Sequence, residues 1–198
     1  MCSKKNTPFF HCRTDQNPYK LYIFAEHNLE ALLFVMELFN NSRVRRQDRL
    51  IGPEEAITLL QEGEYGVLSM QTPDAKGAYG IPINYVWDKD RSIYIHCAPV
   101  GEKLQAIDCN PNVSFTVVGQ TKVKPNKFTT AYESIVIKCH AYRHLPKEEK
   151  LYALEIFMRK YCPNDIVTGR KMAAKSFFRT EIVRLDIIEI SGKAKRVK

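Results

Sequence analysis

The sequence predicts a mainly β fold with peripheral helices, in which six antiparallel strands form a small barrel. Three observations lead there. Six segments carry strand patterning, and most succeed one another through short turns. The helical stretches gather around them instead of following each strand, which excludes a doubly wound parallel sheet. An antiparallel sheet of this size removes its exposed edges by closing on itself. At this level a closed and a split barrel both satisfy the pattern.

The elements follow in order. Residues 1–22 show little periodicity, and Cys2, His11 and Cys12 match no familiar metal spacing. Asn28 to Asn40 reads as a helix capped by Asn28, with Leu32, Val35, Met36 and Phe39 on one stripe. The chain thus divides into an N-terminal extension, 1–42, with one amphipathic helix, and a barrel domain, 43–198. Pro53 opens a short helix that Gly63 ends, with Glu54 and Glu55 in its first turn. Tyr65 to Met70 is a strand, and Pro73 to Gly77 a turn. In Tyr79 to Trp87, Ile81, Ile83 and Tyr85 alternate with Pro82 and Asn84, and Pro82 requires an edge or bulge because it donates no ladder hydrogen bond. Ser92 to Cys97 returns as its hairpin partner. A short helix, Glu102 to Asp108, and a strand, Val113 to Val118, come next. Lys122 to Thr130 reads as a polar connection, and Glu133 to Arg143 as a strand with Ile135, Ile137, Cys139 and Ala141 on one face. Glu148 to Tyr161 is the strongest helix, with Leu151, Leu154, Met158 and Tyr161 as its buried stripe. Asn164 to Thr180 reads as irregular and basic. Glu181 to Ser191 is the last strand, ended by Gly192.

Of 198 residues, 44% are hydrophobic, enough for one core domain. The formal charge of +8 gathers at Arg43–Arg49, Lys122–Lys127, Arg170–Arg179 and Lys193–Lys198. That balance favours anionic partners, phosphorylated ligands or nucleic acid. The six cysteines form no C-x-x-C pair, so no metal site is expected. The start lacks a signal-peptide pattern, and the longest apolar run, Ala31 to Met36, is far shorter than a membrane span. The expectation is a cytoplasmic protein with no membrane partner.

The most chemically suggestive stretch is Ile93 to Lys103. A strand ends in His96 and Cys97, and a loop then leads through Gly101 into a helix carrying Lys103 in its first turn. Helix starts present N–H groups that attract anions, and a lysine adds charge. The plainer reading makes Gly101 a turn residue, Lys103 a solvated cation and His96 a structural histidine; no full phosphate-binding G-x-x-x-x-G-K-[S/T] motif is present. Alternation turns Cys97 away from His96, which favours apolar burial of the thiol.

Taken collinearly, six motifs resemble the flavin-binding proteins related to pyridoxamine 5'-phosphate oxidase, and within them the nitroimidazole-resistance (Nim-type) branch. They are RRQDR (Arg45–Arg49), EYGVLSM (Glu64–Met70), YGIPINYVW (Tyr79–Trp87), IYIHCAPVGEK (Ile93–Lys103), YESIVIKCHA (Tyr132–Ala141) and LDIIEISGKA (Leu185–Ala194). The resemblance implies a six-stranded antiparallel split β-barrel and a homodimer with FMN at the subunit interface. It implies that the backbone of Ile81, Pro82, Ile83 and Asn84 meets the flavin's polar edge, that the loop from His96 through Gly101 to Lys103 handles the phosphate or ribityl chain with Lys103 as charge partner, and that His96 is also the active-site histidine. Glu102 stands where Nim-type relatives often carry histidine. The implied function is an FMN-dependent oxidoreductase that takes electrons from NADH or NADPH and reduces a small planar aromatic, such as a nitroimidazole, to its amine. The alternatives are a flavin- or haem-binding module with little turnover and a pyridoxamine-phosphate-oxidase-like enzyme. A barrel that binds nucleic acid around Arg170 to Arg179 ranks below these.

Overall fold

A computed structural model describes residues 32–197. A helical segment at 32–38 (α1) comes first. The elements that follow are α2 (Pro53–Glu62), β1 (Tyr65–Gln71), β2 (Ala78–Trp87), β3 (Ser92–Cys97), α3 (Glu102–Cys109), β4 (Asn112–Lys124), β5 (Thr129–Tyr142), α4 (Lys147–Tyr161), α5 (Ile166–Ser176) and β6 (Glu181–Lys195). Residues 1–22 and the first turn of the expected Asn28–Asn40 helix lie outside the described residues. Local chemistry accounts for the boundaries. Pro53 occupies the first turn of α2, and the Gly63 N–H closes its end on the Leu59 carbonyl.

All strand pairings are antiparallel, in the order β1-β2-β3-β6-β5-β4, with β1 returning to β4. The fold class expected from sequence is corrected here: the barrel is not split into two half-sheets. One continuous ladder runs round it, sealed where Val67, Leu68 and Ser69 pair with Thr116, Phe115 and Ser114. The inward residues, among them Leu68, Tyr85, Ile95, Phe115, Ile137 and Leu185, are fully buried and form one core. A second, smaller core lies outside the ring, where Ala153 and Phe157 of α4 cover Val86, Tyr94 and Ile182.

Three further expectations are revised, and β6 carries a bulge. The Lys122–Thr130 connection is strand: β4 and β5 extend as a two-stranded ribbon to Lys124 and Thr129, turning through Pro125–Lys127 and a left-handed Phe128 (φ 46°). Its side chains are largely exposed, so the ladder left no hydrophobic alternation to read. Gly192 does not end β6. It is buried within the strand because Ile51 lies where its Cβ would stand, 2.6 Å from the nearest carbon. Ile188 is a β-bulge, the one residue of β6 skipped between the pairs Cys139–Ile187 and Lys138–Glu189. The inserted residue inverts the faces, so Val183, Leu185 and Ile187 point inward before it and Ile190 and Ala194 after it. Asn164–Thr180 is mostly the helix α5.

Two helical stripes are corrected in part. In α4, Leu154 and Tyr161 pack against the second core as expected, but its buried residues are Ala153 and Phe157, and Leu151 is exposed. In α1, Phe34 and Val35 enter the main core, and Met36 faces solvent. The segment after α1 covers the free edge of β6: the Asn40 N–H donates to the Ile190 carbonyl (2.8 Å), the Gly192 N–H to Asn41 Oδ1 (3.0 Å), and Asn41 Nδ2 to the Ile51 carbonyl (3.3 Å). Among the described residues no helix is long and apolar enough to cross a membrane.

Candidate functional site

The site begins with an interruption. β2 pairs with β1 from Ala78 to Asn84, but with β3 only at Tyr85, Val86 and Trp87. Pro82 has no N–H to donate, and β3 ends at Cys97 before Pro99, so the ladder has nothing to continue with. The edge of Ala78–Asn84 facing away from β1 is therefore left without a strand partner among the described residues. Continuing the register by one residue puts Asn84 across from His96. Ile81 and Ile83 turn inward and are half-buried, whereas Pro82 and Asn84 are exposed.

The shelf is held from below by α4. Tyr161 Oη lies 3.0 Å from the Tyr85 nitrogen, whose N–H donates to it, and 2.6 Å and 2.7 Å from the Glu64 and Tyr85 carbonyls. The Asn84 side-chain amide donates to the Glu64 carbonyl at 3.0 Å, so its polar group is already engaged. Phe157 stacks on Tyr161, with ring centroids 5.9 Å apart, and meets the His96 ring edge-on at 4.8 Å. His96 is open to solvent on its other side. Burial of the flank against Phe157 lowers its pKa below the ordinary histidine value, which favours the neutral imidazole.

Gly101 adopts φ +145°, open to glycine and strained for other residues, and caps α3. Its carbonyl accepts from the Leu104 and Gln105 N–H groups at 3.0 and 3.3 Å. Lys103 is half-buried in that first turn. Near it, about Cys97, the fold gathers groups that sequence reasoning missed. Arg143 bonds to Asp108 and to the Leu104 carbonyl (3.4 Å), and its buried Nε has no partner among the described residues. Glu181 is buried across from Cys97. Its Oε1 lies 3.2 Å from Lys150 Nζ, an ion pair without hydrogen-bond geometry. Burial pushes the Cys97 thiol up, Glu181 adds to that, and Lys103 and Arg143 oppose it. Cys97 turns toward the core, as its position opposite His96 in the alternation requires.

The arrangement sets three cations, Lys103, Arg143 and Lys150, against two carboxylates, Asp108 and Glu181, beside a backbone edge with free hydrogen-bonding groups. An anionic cofactor with a flat polar edge fits it: the unpartnered Arg143 Nε and the half-buried Lys103 suit a phosphate, and the Ile81–Asn84 backbone suits a ring edge. Of the missed residues, only the i, i+4 pair Phe157–Tyr161 left a trace in the sequence. Arg143, Lys150 and Glu181 meet solely through strand pairing and helix docking.

A family model described as pyridoxamine 5'-phosphate oxidase matches residues 52–194. Among curated proteins none matches the chain. Solved structures resemble it in fold. A candidate 5-nitroimidazole antibiotic resistance protein of Bacteroides thetaiotaomicron is 20% identical, covering 76% of this chain and 85% of its own, with a TM-score of 0.55. An FAD-binding protein of Mesorhizobium loti is 19% identical, covering 75% and 98%, at 0.56. An FAD- and heme-binding protein of Mycobacterium smegmatis is 15% identical, covering 74% and 72%, at 0.63.

Proposed function

The chain belongs to the pyridoxamine 5'-phosphate oxidase family, and on that premise we propose that it is a flavin-binding protein whose ligand lies along the free edge of β2. One observation carries the reading: seven residues of β2, Ala78–Asn84, are paired on one side only, and their Asn84 end comes across from His96, next to Cys97, whose thiol feels Lys103 and Arg143. In this reading the Ile81, Pro82, Ile83 and Asn84 backbone meets the polar edge of the ring. Gly101, Lys103 and Arg143 take the phosphate. His96, held neutral by its contact with Phe157, offers a hydrogen bond to a substrate stacked above the ring. A bound flavin supplies the redox chemistry, and the protein's part is to hold, orient and shield it.

Binding is the core of the proposal, and turnover is its extension. The flavin is FMN, the donor NADH or NADPH, and the acceptor a small planar aromatic, with nitroaromatics the first class to try. A homodimer completes the site and covers the exposed apolar Val136 and Ile188 on the outer faces of β5 and β6. The visible spectrum of purified protein, before and after adding FMN, tests the binding. Near-stoichiometric flavin bands are expected. A folded sample that neither retains nor titrates flavin overturns the reading, and a haem Soret band in its place moves it to the haem alternative. His96→Ala is expected to keep the flavin and lose most of the nitro-reductase turnover; full turnover removes His96 from the chemistry.

A further inference from the structure

A cavity of about 590 Å³ opens where the ends of β2 and α2 meet α4, with Gln61, Val86, Trp87, Tyr152, Ile156 and Lys160 in its lining. We propose that it takes an aromatic aldehyde, which condenses with the Lys160 amine to a protonated imine. The inference goes beyond the flavin reading and does not rest on it. That reading assigns Lys160 no part, although the next residue, Tyr161, props the β2 shelf.

The walls suit a flat apolar ring. The volume lies within the range of small-ligand pockets. Val86 and Ile156 supply aliphatic surface, and Trp87 and Tyr152 supply aromatic surface. The Trp87 indole N–H is spent on the Asp90 carbonyl at 2.8 Å, so its ring adds little polarity to the wall. Asp88 is the one carboxyl in the lining. It accepts from the Asp90 and Ser92 N–H groups at 2.9 and 3.0 Å, and burial raises it to about 6.

Lys160 is half-buried, and its surroundings select the chemistry. Its Nζ donates to the Gly63 carbonyl at 2.7 Å and stands over the Tyr85 ring, 3.9 Å from the centroid. Among the described residues no carboxylate pairs with it. Burial without a counter-charge lowers it to about 8, so a substantial share of the amine is neutral near pH 7.5. A neutral amine that gives one N–H to Gly63 keeps its lone pair for attack. Nζ adds to the aldehyde carbon, the carbinolamine hydroxyl takes a proton from solvent and leaves as water, and C=N forms with no change of oxidation level. The product carries one N–H and one positive charge. The Gly63 carbonyl can accept that N–H and the Tyr85 ring can face that charge, so both contacts of the free amine survive in the imine. Acylation would discard the charge, which is why the site points to an aldehyde.

Incubating the full chain with benzaldehyde and cyanoborohydride, which reduces the imine to a stable benzylamine, tests the proposal. Adducts are located by peptide mass mapping. At about pH 7.5 Lys160 holds roughly a hundredfold more neutral amine than a surface lysine. Labelling of Lys160 is expected to be about tenfold or more faster than at any other lysine, and to saturate as benzaldehyde is raised. Acetaldehyde, too small to fill the cavity, is expected to label Lys160 without saturation. This mapping uses the wild-type protein, so it does not depend on a variant that folds. Lys160→Arg keeps a donor for Gly63 and is expected to abolish the fast adduct. Tyr152→Ala, at a largely exposed position, is expected to raise the half-saturating benzaldehyde concentration by about threefold or more. Labelling spread evenly over the lysines, a rate linear in benzaldehyde, or the same fast adduct in Lys160→Arg would each overturn the proposal.

Discussion

The ladders β4–β5 and β5–β6 run for eleven register pairs each, whereas β1–β4 and β2–β3 hold three. Both regions belong to one ring and share one core, yet they do different work. The long ladders leave few backbone groups unpaired, and their inward rows of Ile135, Ile137, Val183 and Leu185 are completely buried. The thin seams flank β1 and β2. There the ring is sealed by a few pairs, with help from a tyrosine hydroxyl, and a run of backbone remains available to a ligand. A barrel can place binding capacity where its own hydrogen bonding is sparsest, provided the rest of the ring supplies the stability.

Breaking the core that both regions share gives the largest effect. Phe115 pairs with Leu68 in the thin seam and Ile137 in the long ladder, and its ring meets Tyr85 edge-on at 5.0 Å. Phe115→Ala is expected to cost about 3–5 kcal/mol, read from the urea midpoint. A loss below ~1 kcal/mol would mean that the core collapses around the gap.

A smaller change attacks the seam alone. A Cβ on Gly66 would stand 2.4 Å from the Phe115 ring. Gly66→Ala is expected to destabilise by about 1–3 kcal/mol, with hydrogen exchange accelerating at β1 and β2 before β5 and β6. Uniform acceleration would erase the distinction between the regions.

Asp88, at the end of β2, sharpens the comparison through pH. Burial raises its pKa to about 6, against two backbone N–H donors from Asp90 and Ser92 that lower it. Because the folded value exceeds the ordinary 3.8, its contribution to stability is fully present below about pH 4 and is lost as pH rises through about 6. Asp88→Asn keeps the acceptor and removes the charge. At pH 7 it is expected to stabilise by about 1–2 kcal/mol and to flatten the unfolding free energy between pH 4 and 6. An unchanged slope would assign that pH dependence to other carboxyls.

Least costly is Tyr161→Phe, which withdraws the hydroxyl shared by Tyr85 and Glu64. About 1 kcal/mol is expected, together with faster exchange at the Tyr85 amide. Protection equal to wild type would show that the β2 edge needs no prop from α4.

Much of this was legible in the linear chain, for local reasons. Pro53 and Gly63 bracket α2 because one suits a helix start and the other a stop. The alternation of Ile81, Ile83 and Tyr85 against Pro82 and Asn84 marked β2 and its irregular edge, and His96, Gly101 and Lys103 followed on a strand end and a helix start. The bulge at Ile188 left no such mark, because a run of Ile-Ile-Glu-Ile satisfies either phase until β5 is laid beside it. The stripe of α4 is legible only in part, through Leu154 and Tyr161, for a related reason. Leu151 and Met158 are as apolar as Phe157, and only docking against Tyr94 and Ile182 selects a face.

The sequence by itself determined the type and order of the elements, since periodicity, caps and turns act over a few residues. It determined the positive charge as well, which is a sum over the chain. Tertiary structure alone decided that the ring closes through β1 and β4, that Lys103, Arg143 and Glu181 meet around Cys97, and that Arg43, Arg45 and Lys193 face one cavity. Those groupings join residues tens to more than a hundred positions apart. Strand register and the docking of α4 and segment 39–51 create them, and both depend on what each element meets.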